Sequence, residues 1–234
     1  MRTRMFVLVA AALTGLLLWT SGGVPATAGV NPADFSAPVA NPYFPLKPGT
    51  VFVYRGTEGT DRLVEHLAVT RHTKKIEGVT TIVIHDVLYA NGRLAEKTTD
   101  WYADDNGGTA WYFGEATALY DRHGNVTSRE GSWQAGVDGG VAGIIMPANP
   151  KPTDAYRQEF LAGHAEDQAW IVSRHERARV PYGRVTDVVR SYEWTRLEPN
   201  VTSVKLYAPH LGIVQEGDVA GGTEFLQLVA VRHF

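Results

Sequence analysis

The sequence has 234 residues, with 22 Lys and Arg against 25 Asp and Glu and no Cys. Without Cys there is no disulfide, no thiolate metal site and no thiol for a lipid anchor, so stability has to come from the core. The mild acidity, with no clustered basic surface in view, argues against nucleic acid or an anionic membrane as the partner.

Arg2 and Arg4 precede an apolar run over residues 5–19, and Ala26, Thr27 and Ala28 supply the small residues of a cleavage point. This is the pattern of a secretory signal peptide. The run is too short for a comfortable membrane span, and nothing downstream approaches the roughly 20 apolar residues a spanning helix needs. Residues 1–28 therefore read as a signal, and the remainder as a secreted or extracytoplasmic chain without a transmembrane segment. Cleavage near Ala28 leaves 234 minus 28, or 206 residues, the size of one domain, at a formal charge of 20 minus 25, or −5.

Residues 29–49 read as a Pro-rich leader, because Pro32, Pro38, Pro42, Pro45 and Pro48 interrupt regular pairing. Tyr43, Phe44 and Leu46 are placed to pin it to the β-domain expected over 50–234. Strand patterns follow at 50–55, 61–72, 79–89 and 93–103. The third is rich in Val and Ile on both faces, as a strand covered on each side requires. Asn91-Gly92 between the last two predicts a type I′ hairpin, whose central residues both need positive φ. A turn over 105–108 leads to a strand at 109–114, and His123-Gly124-Asn125 makes a further turn.

Between 131 and 153 the periodicity fails and Gly and Pro dominate. A connection that long inside a compact domain reads as a lid or binding loop, although Ile144, Ile145 and Met146 within it need burial. Strand patterns return at 154–161, 168–177, 183–195, 202–208, 212–216 and 223–231. No segment carries a helical stripe, and the only helical turn expected is a short one at 163–169. The fold class is all-β: a single antiparallel meander curving into a half-barrel or barrel.

Three pieces carry a resemblance: Phe44-Pro-Leu-Lys-Pro-Gly-Thr-Val-Phe-Val-Tyr54, Val180-Pro-Tyr-Gly183 and Tyr207-Ala-Pro-His-Leu-Gly-Ile-Val214. Together they resemble a group of exported bacterial β-proteins related in architecture to the lipoprotein-carrier half-barrels. His210 stands where that group usually has Gly. The resemblance implies a curved antiparallel sheet with a concave apolar face, and no activity.

The densest run of functional groups is Tyr156-Arg-Gln-Glu-Phe-Leu-Ala-Gly-His-Ala-Glu-Asp167. Period-2 alternation puts Arg157 and Glu159 on one strand face, with Gln158 on the other. A solvated face with a weak ion pair accounts for them. Pointing into a cavity, Arg157 would orient an anionic or carbonyl group and Glu159 would act as a base. His164, Glu166 and Asp167 offer the mixed nitrogen and oxygen donors of a divalent cation site, the one cofactor the sequence suggests, though the spacing matches no established metal signature. A polar turn explains the same three residues.

Trp101, Trp111 and Tyr112 lie on consecutive strands, with Trp111, Phe113 and Glu115 expected on one face. Core packing accounts for such aromatics. Alternatively they form a wall for a small molecule or a glycan, with Glu115 and Asp104 donating or accepting hydrogen bonds. The function these residues favour is ligand binding in a concave site by a secreted or envelope β-domain. The alternatives are a hydrolase or lyase with Glu159 or His164 as general base, and a structural envelope protein.

Overall fold

The computed structural model describes residues 29–234, so the expected signal peptide and its expected cleavage point lie outside the described residues. Fifteen strands form one antiparallel sheet. In chain order they are β1 (Thr50–Glu58), β2 (Asp61–Ile76), β3 (Val79–Ala90), β4 (Arg93–Asp104), β5 (Ala110–Tyr120), β6 (Val126–Ser128), β7 (Trp133–Gln134), β8 (Val141–Met146), β9 (Ala155–Arg157), β10 (Glu159–Phe160), β11 (Asp167–Val180), β12 (Gly183–Thr195), β13 (Thr202–Ala208), β14 (Gly212–Ala220) and β15 (Glu224–His233). Their lateral order, β10-β8-β5-β4-β3-β2-β1-β15-β14-β13-β12-β11-β9, puts the first long strand beside the last. The meander is the one the turn residues predict, with Asn91 and Gly92 at φ +51° and +76°.

The two ends of that order meet through one short segment. β9 pairs with β11, and after Gln158 the same chain pairs with β8 as β10. The Gln158 amide donates to the Asp167 carbonyl at 2.8 Å. The sheet thereby closes into a barrel with a single seam. Closure brings two backbones together at Gly143, where a Cβ would lie 2.3 Å from the Gln158 carbonyl oxygen. No other residue fits there.

The barrel has two unlike ends. At one, the leader turns over the rim and fills the opening. Its Pro32–Phe35 turn is 3-10, and the Phe35 ring packs outside the barrel on Trp111 and Phe113. Asn41, buried at the rim, donates to the carbonyls of Gly108, Met146 and Pro147 and accepts from the amides of Tyr43 and Phe44. Tyr43, Phe44 and Leu46 then sit in the core. The β11–β12 hairpin folds across the same end. Its tip half is bent at register irregularities, with His175 and Asp187 at positive φ, and the Tyr182 amide donates to the Leu228 carbonyl. The His210 amide donates to the Pro42 carbonyl and holds this end, with His210 at φ +64°, a conformation Gly adopts more readily.

Two expectations change. Residues 162–164 form a turn that joins Leu161 to Ala165, and β11 starts at Asp167, so there is no helical turn at 163–169. The 131–153 stretch is no lid: it supplies β7 and β8, and Ile145 and Met146 are buried in the wall. Its glycines serve close packing: at Gly140 and Gly143 a Cβ would meet backbone under 2.5 Å away. Of the half-barrel or barrel expected, the sheet forms the barrel.

Two substitutions test these supports. Gly143→Ala should lower unfolding stability by about 3 kcal/mol, as overpacking against backbone does, and an unchanged denaturant midpoint would refute the close crossing. Asn41→Ala strands two buried amides and should cost about 2–4 kcal/mol, with faster proteolysis inside residues 29–48. Unaltered cleavage would mean the leader is held by its aromatic residues alone.

Candidate functional site

Above the filled end, the barrel encloses a cavity of about 840 Å³. Its floor is apolar, made by Phe44, Tyr102, Tyr112, Ile145 and Ile213, with Tyr102 and Tyr112 stacked 4.4 Å apart. Its wall and mouth are acidic. Among the described residues, fourteen of the 25 carboxylates line it, against one cation, Lys205. The lumen thus has a formal charge of −13, and the remaining 19 cations and 11 carboxylates beyond residue 28 give the rest of the chain +8.

Strand geometry puts the acids there. On β4, Glu96, Thr98, Asp100 and Tyr102 alternate onto the inner face, and on β12 Ser191, Glu193 and Thr195 do the same. β5 carries a bulge in which Phe113 and Gly114 together oppose Trp101, with Gly114 at φ +131°. That extra residue brings Tyr112 and Glu115 to the same side, and Glu115 faces Asp100 across the ladder.

The carboxylates fall into two populations. Glu193 accepts from Lys205 at 3.0 Å, Ser191 at 2.8 Å and Tyr207 at 2.9 Å. Despite desolvation, the Lys205 ammonium and these donors hold its carboxyl below the usual range. Glu115 is pushed well up by burial and by the neighbouring Asp100, and Glu159 by burial, Asp167 and Glu115. Burial raises Asp167 to about 6 against the pull of Lys205. Asp100 accepts from the Tyr112 hydroxyl at 2.7 Å, and Glu115 from Thr117 at 2.9 Å. The lumen therefore combines carboxyls that hold their protons to higher pH than free ones with the Lys205 ion pairs to Glu193 and Glu216.

Of the residues singled out in the sequence, Tyr112, Glu115, Glu159 and Asp167 line this cavity. Arg157 does not share a face with Glu159: it is exposed, its guanidinium 4.1 Å from the Phe160 ring, while Gln158 and Glu159 both turn inward. Alternation fails because the chain changes partner strands at Gln158. Trp101 and Trp111 lie on the outer side. Trp101 sits under the Lys74 ammonium at 3.2 Å, and Trp111 donates to Asp105 at 2.9 Å. Asp104 is also away from the cavity, its carboxyl raised to about 7 by burial.

The proposed metal trio is not assembled. Glu166 is held by Arg196 at 2.6 Å and by the Gly163 amide, and His164 is exposed while Asp167 faces inward. Among the described residues no group of three His, Asp or Glu side chains is positioned to hold a metal ion. His164 is likewise outside the cavity that Glu159 lines. Asp100, Tyr102, Glu193 and Lys205 were not legible as site residues. The signal available was the run of polar residues at every second position, in strands long enough to need an inward face.

No family model matches the chain, and no curated protein matches it. Two solved structures are similar to it. One is a protein from Bacteroides fragilis NCTC 9343, inferred to be exported and described as having a YmcC-like fold, with 13% identity and a TM-score of 0.48 over 82% of this chain and 100% of that one. The other, inferred to be a lipoprotein, is from Parabacteroides distasonis ATCC 8503, with 13% identity and a TM-score of 0.44 over 83% of this chain and 100% of that one. The lumen here is acidic where the resemblance implies an apolar face.

The raised carboxyls make stability depend on pH. A native group with a raised pKa holds a proton that the unfolded chain releases, so its contribution is full at low pH and lost as pH climbs through the native value. For Asp167 that window runs from about 4 to about 6, and Glu115 and Glu159 extend it upward. Urea unfolding should therefore show greater stability at pH 5 than at pH 8. Glu115→Gln with Glu159→Gln should remove most of the difference, and a stability that rises over this interval would refute the assignment.

Proposed function

We propose that this chain is a secreted or envelope β-barrel that binds a small organic cation in its lumen. The observation that carries the reading is the 840 Å³ cavity lined by fourteen carboxylates and one lysine. An ammonium or amidinium ligand supplies the charge this wall lacks, and its hydrogen bonds suit acceptors spread over several strands. The stacked Tyr102 and Tyr112 at the floor offer π faces to a cation or to a short apolar portion of the same ligand. Asp100, Glu115 and Glu159 would receive the charged nitrogen, and Lys205 would keep Glu193 and Glu216 out of the exchange. A glycan has no exposed tryptophan platform to meet here, since Trp101 and Trp111 are outside.

Glu159 supports a second, enzymatic reading. A buried carboxyl with a raised pKa in a cavity is suited to general acid or base work, and it would act without His164.

Binding a cation should ionise the raised carboxyls, so complex formation should release protons. Calorimetry with spermidine and with a quaternary ammonium, in two buffers of different ionisation enthalpy, reads this directly. Binding with proton release, weakened about tenfold or more by Glu115→Gln, is the expected result. Absence of binding and of thermal stabilisation by either probe would refute the cation reading.

A further inference from the structure

We propose that the outer face of the bent β11–β12 hairpin is a docking surface for an anionic phospholipid bilayer. With the lumen's acids set apart, the rest of the chain carries a formal +8, so the overall acidity conceals a basic exterior. The hairpin carries Arg174, Arg177, Arg179, Arg184 and Arg190 within 17 residues, against Glu176 and Asp187, so 5 minus 2, or +3, of that charge lies there. Two of them are engaged internally: Arg190 by Glu176 at 2.6 Å and Arg174 by Asn149 at 2.9 Å. Arg177, Arg179 and Arg184 are exposed and make no ion pair or side-chain hydrogen bond among the described residues.

The arrangement is unfavourable in isolation. Arg179 and Arg184 are directly opposite in the ladder, a like-charge cross-strand pair that destabilises a hairpin. Arg177 projects from the same side of β11 two residues away. The inner side of the same ribbon is buried against the barrel through Val180, Val185 and Val188. The ribbon is therefore held with its cations outward, fixed again by the Tyr182 amide on Leu228. At its turn the Tyr182 side chain is 44% exposed beside Pro181.

A row of unpaired guanidiniums next to an exposed tyrosine matches the headgroup zone of a bilayer. Phosphates there meet the arginines, and the amphipathic phenol sits at the boundary. The polarity of the whole molecule favours the same pose. The hairpin tip lies at the plugged end, so docking there turns the acidic mouth away from a surface that would repel it. Net charge is a poor guide here because the carboxylates that set it face the lumen.

The test uses the chain from Gly29 onward, which contains every strand, with vesicles of phosphatidylcholine alone or containing phosphatidylglycerol. Co-sedimentation should show binding to the anionic vesicles only, lost at high salt. The triple variant R177Q/R179Q/R184Q should weaken it on the order of 100-fold, about 1 kcal/mol for each basic residue near the surface, with an unchanged thermal midpoint. The control R62Q/R93Q/R122Q removes the same charge from turns at the opposite end and should retain binding. Equal loss in both variants would reduce the effect to net charge and overturn the proposal. So would equal binding to neutral vesicles, or binding to soluble polyphosphate without vesicle binding.

Discussion

At Gln158 the main chain leaves one edge of the sheet for the other, and the rest of the molecule depends on that crossing. β9 belongs to β11 and β10 to β8, so a segment of six residues stitches both ends of a fifteen-stranded sheet. The stitch works only because Gly143 lets the two backbones approach. An open sheet of this composition would leave its inner carboxylates in water. A closed one removes them from it, and every electrostatic property of the lumen follows from that removal.

Desolvation then sorts chemically similar groups. Glu193, Glu115 and Glu159 are all glutamates on strands facing one space. Lys205 and the Ser191 and Tyr207 hydroxyls hold the first below the usual carboxylate range, while burial and acidic neighbours push the other two well above it. That contrast, in a space lined by many carboxylates and one described cation, is the basis of the proposed cation binding. The same segregation leaves the outer surface basic. An acidic cup and a basic base are two consequences of one closure.

Local chemistry made much of the framework legible. The Asn91-Gly92 hairpin, the strands at 183–195 and 202–208, and the anchoring of the leader through Tyr43, Phe44 and Leu46 all follow from residues within a few positions of each other. Sidedness was less accessible. Alternation places Arg157 with Glu159 only if one strand keeps one partner, and Trp111 with Glu115 only if no bulge intervenes. The first condition fails at Gln158 and the second at Gly114. The glycine-rich stretch at 131–153 looked like a lid because a glycine demanded by close contact and one demanded by a turn are the same letter.

The sequence by itself determined an all-β meander with its turns, a leader pinned by aromatic residues, and a chain without thiol chemistry. Backbone preferences and hydrophobic alternation are short-range, so they are written in neighbouring residues. Tertiary structure alone decided that the 156–167 run is a seam, that Glu159 and Asp167 share a cavity with Glu115 and Asp100, and that Arg157, His164 and the tryptophans lie elsewhere. Those outcomes depend on register and closure between segments tens of residues apart, and on the water that closure excludes.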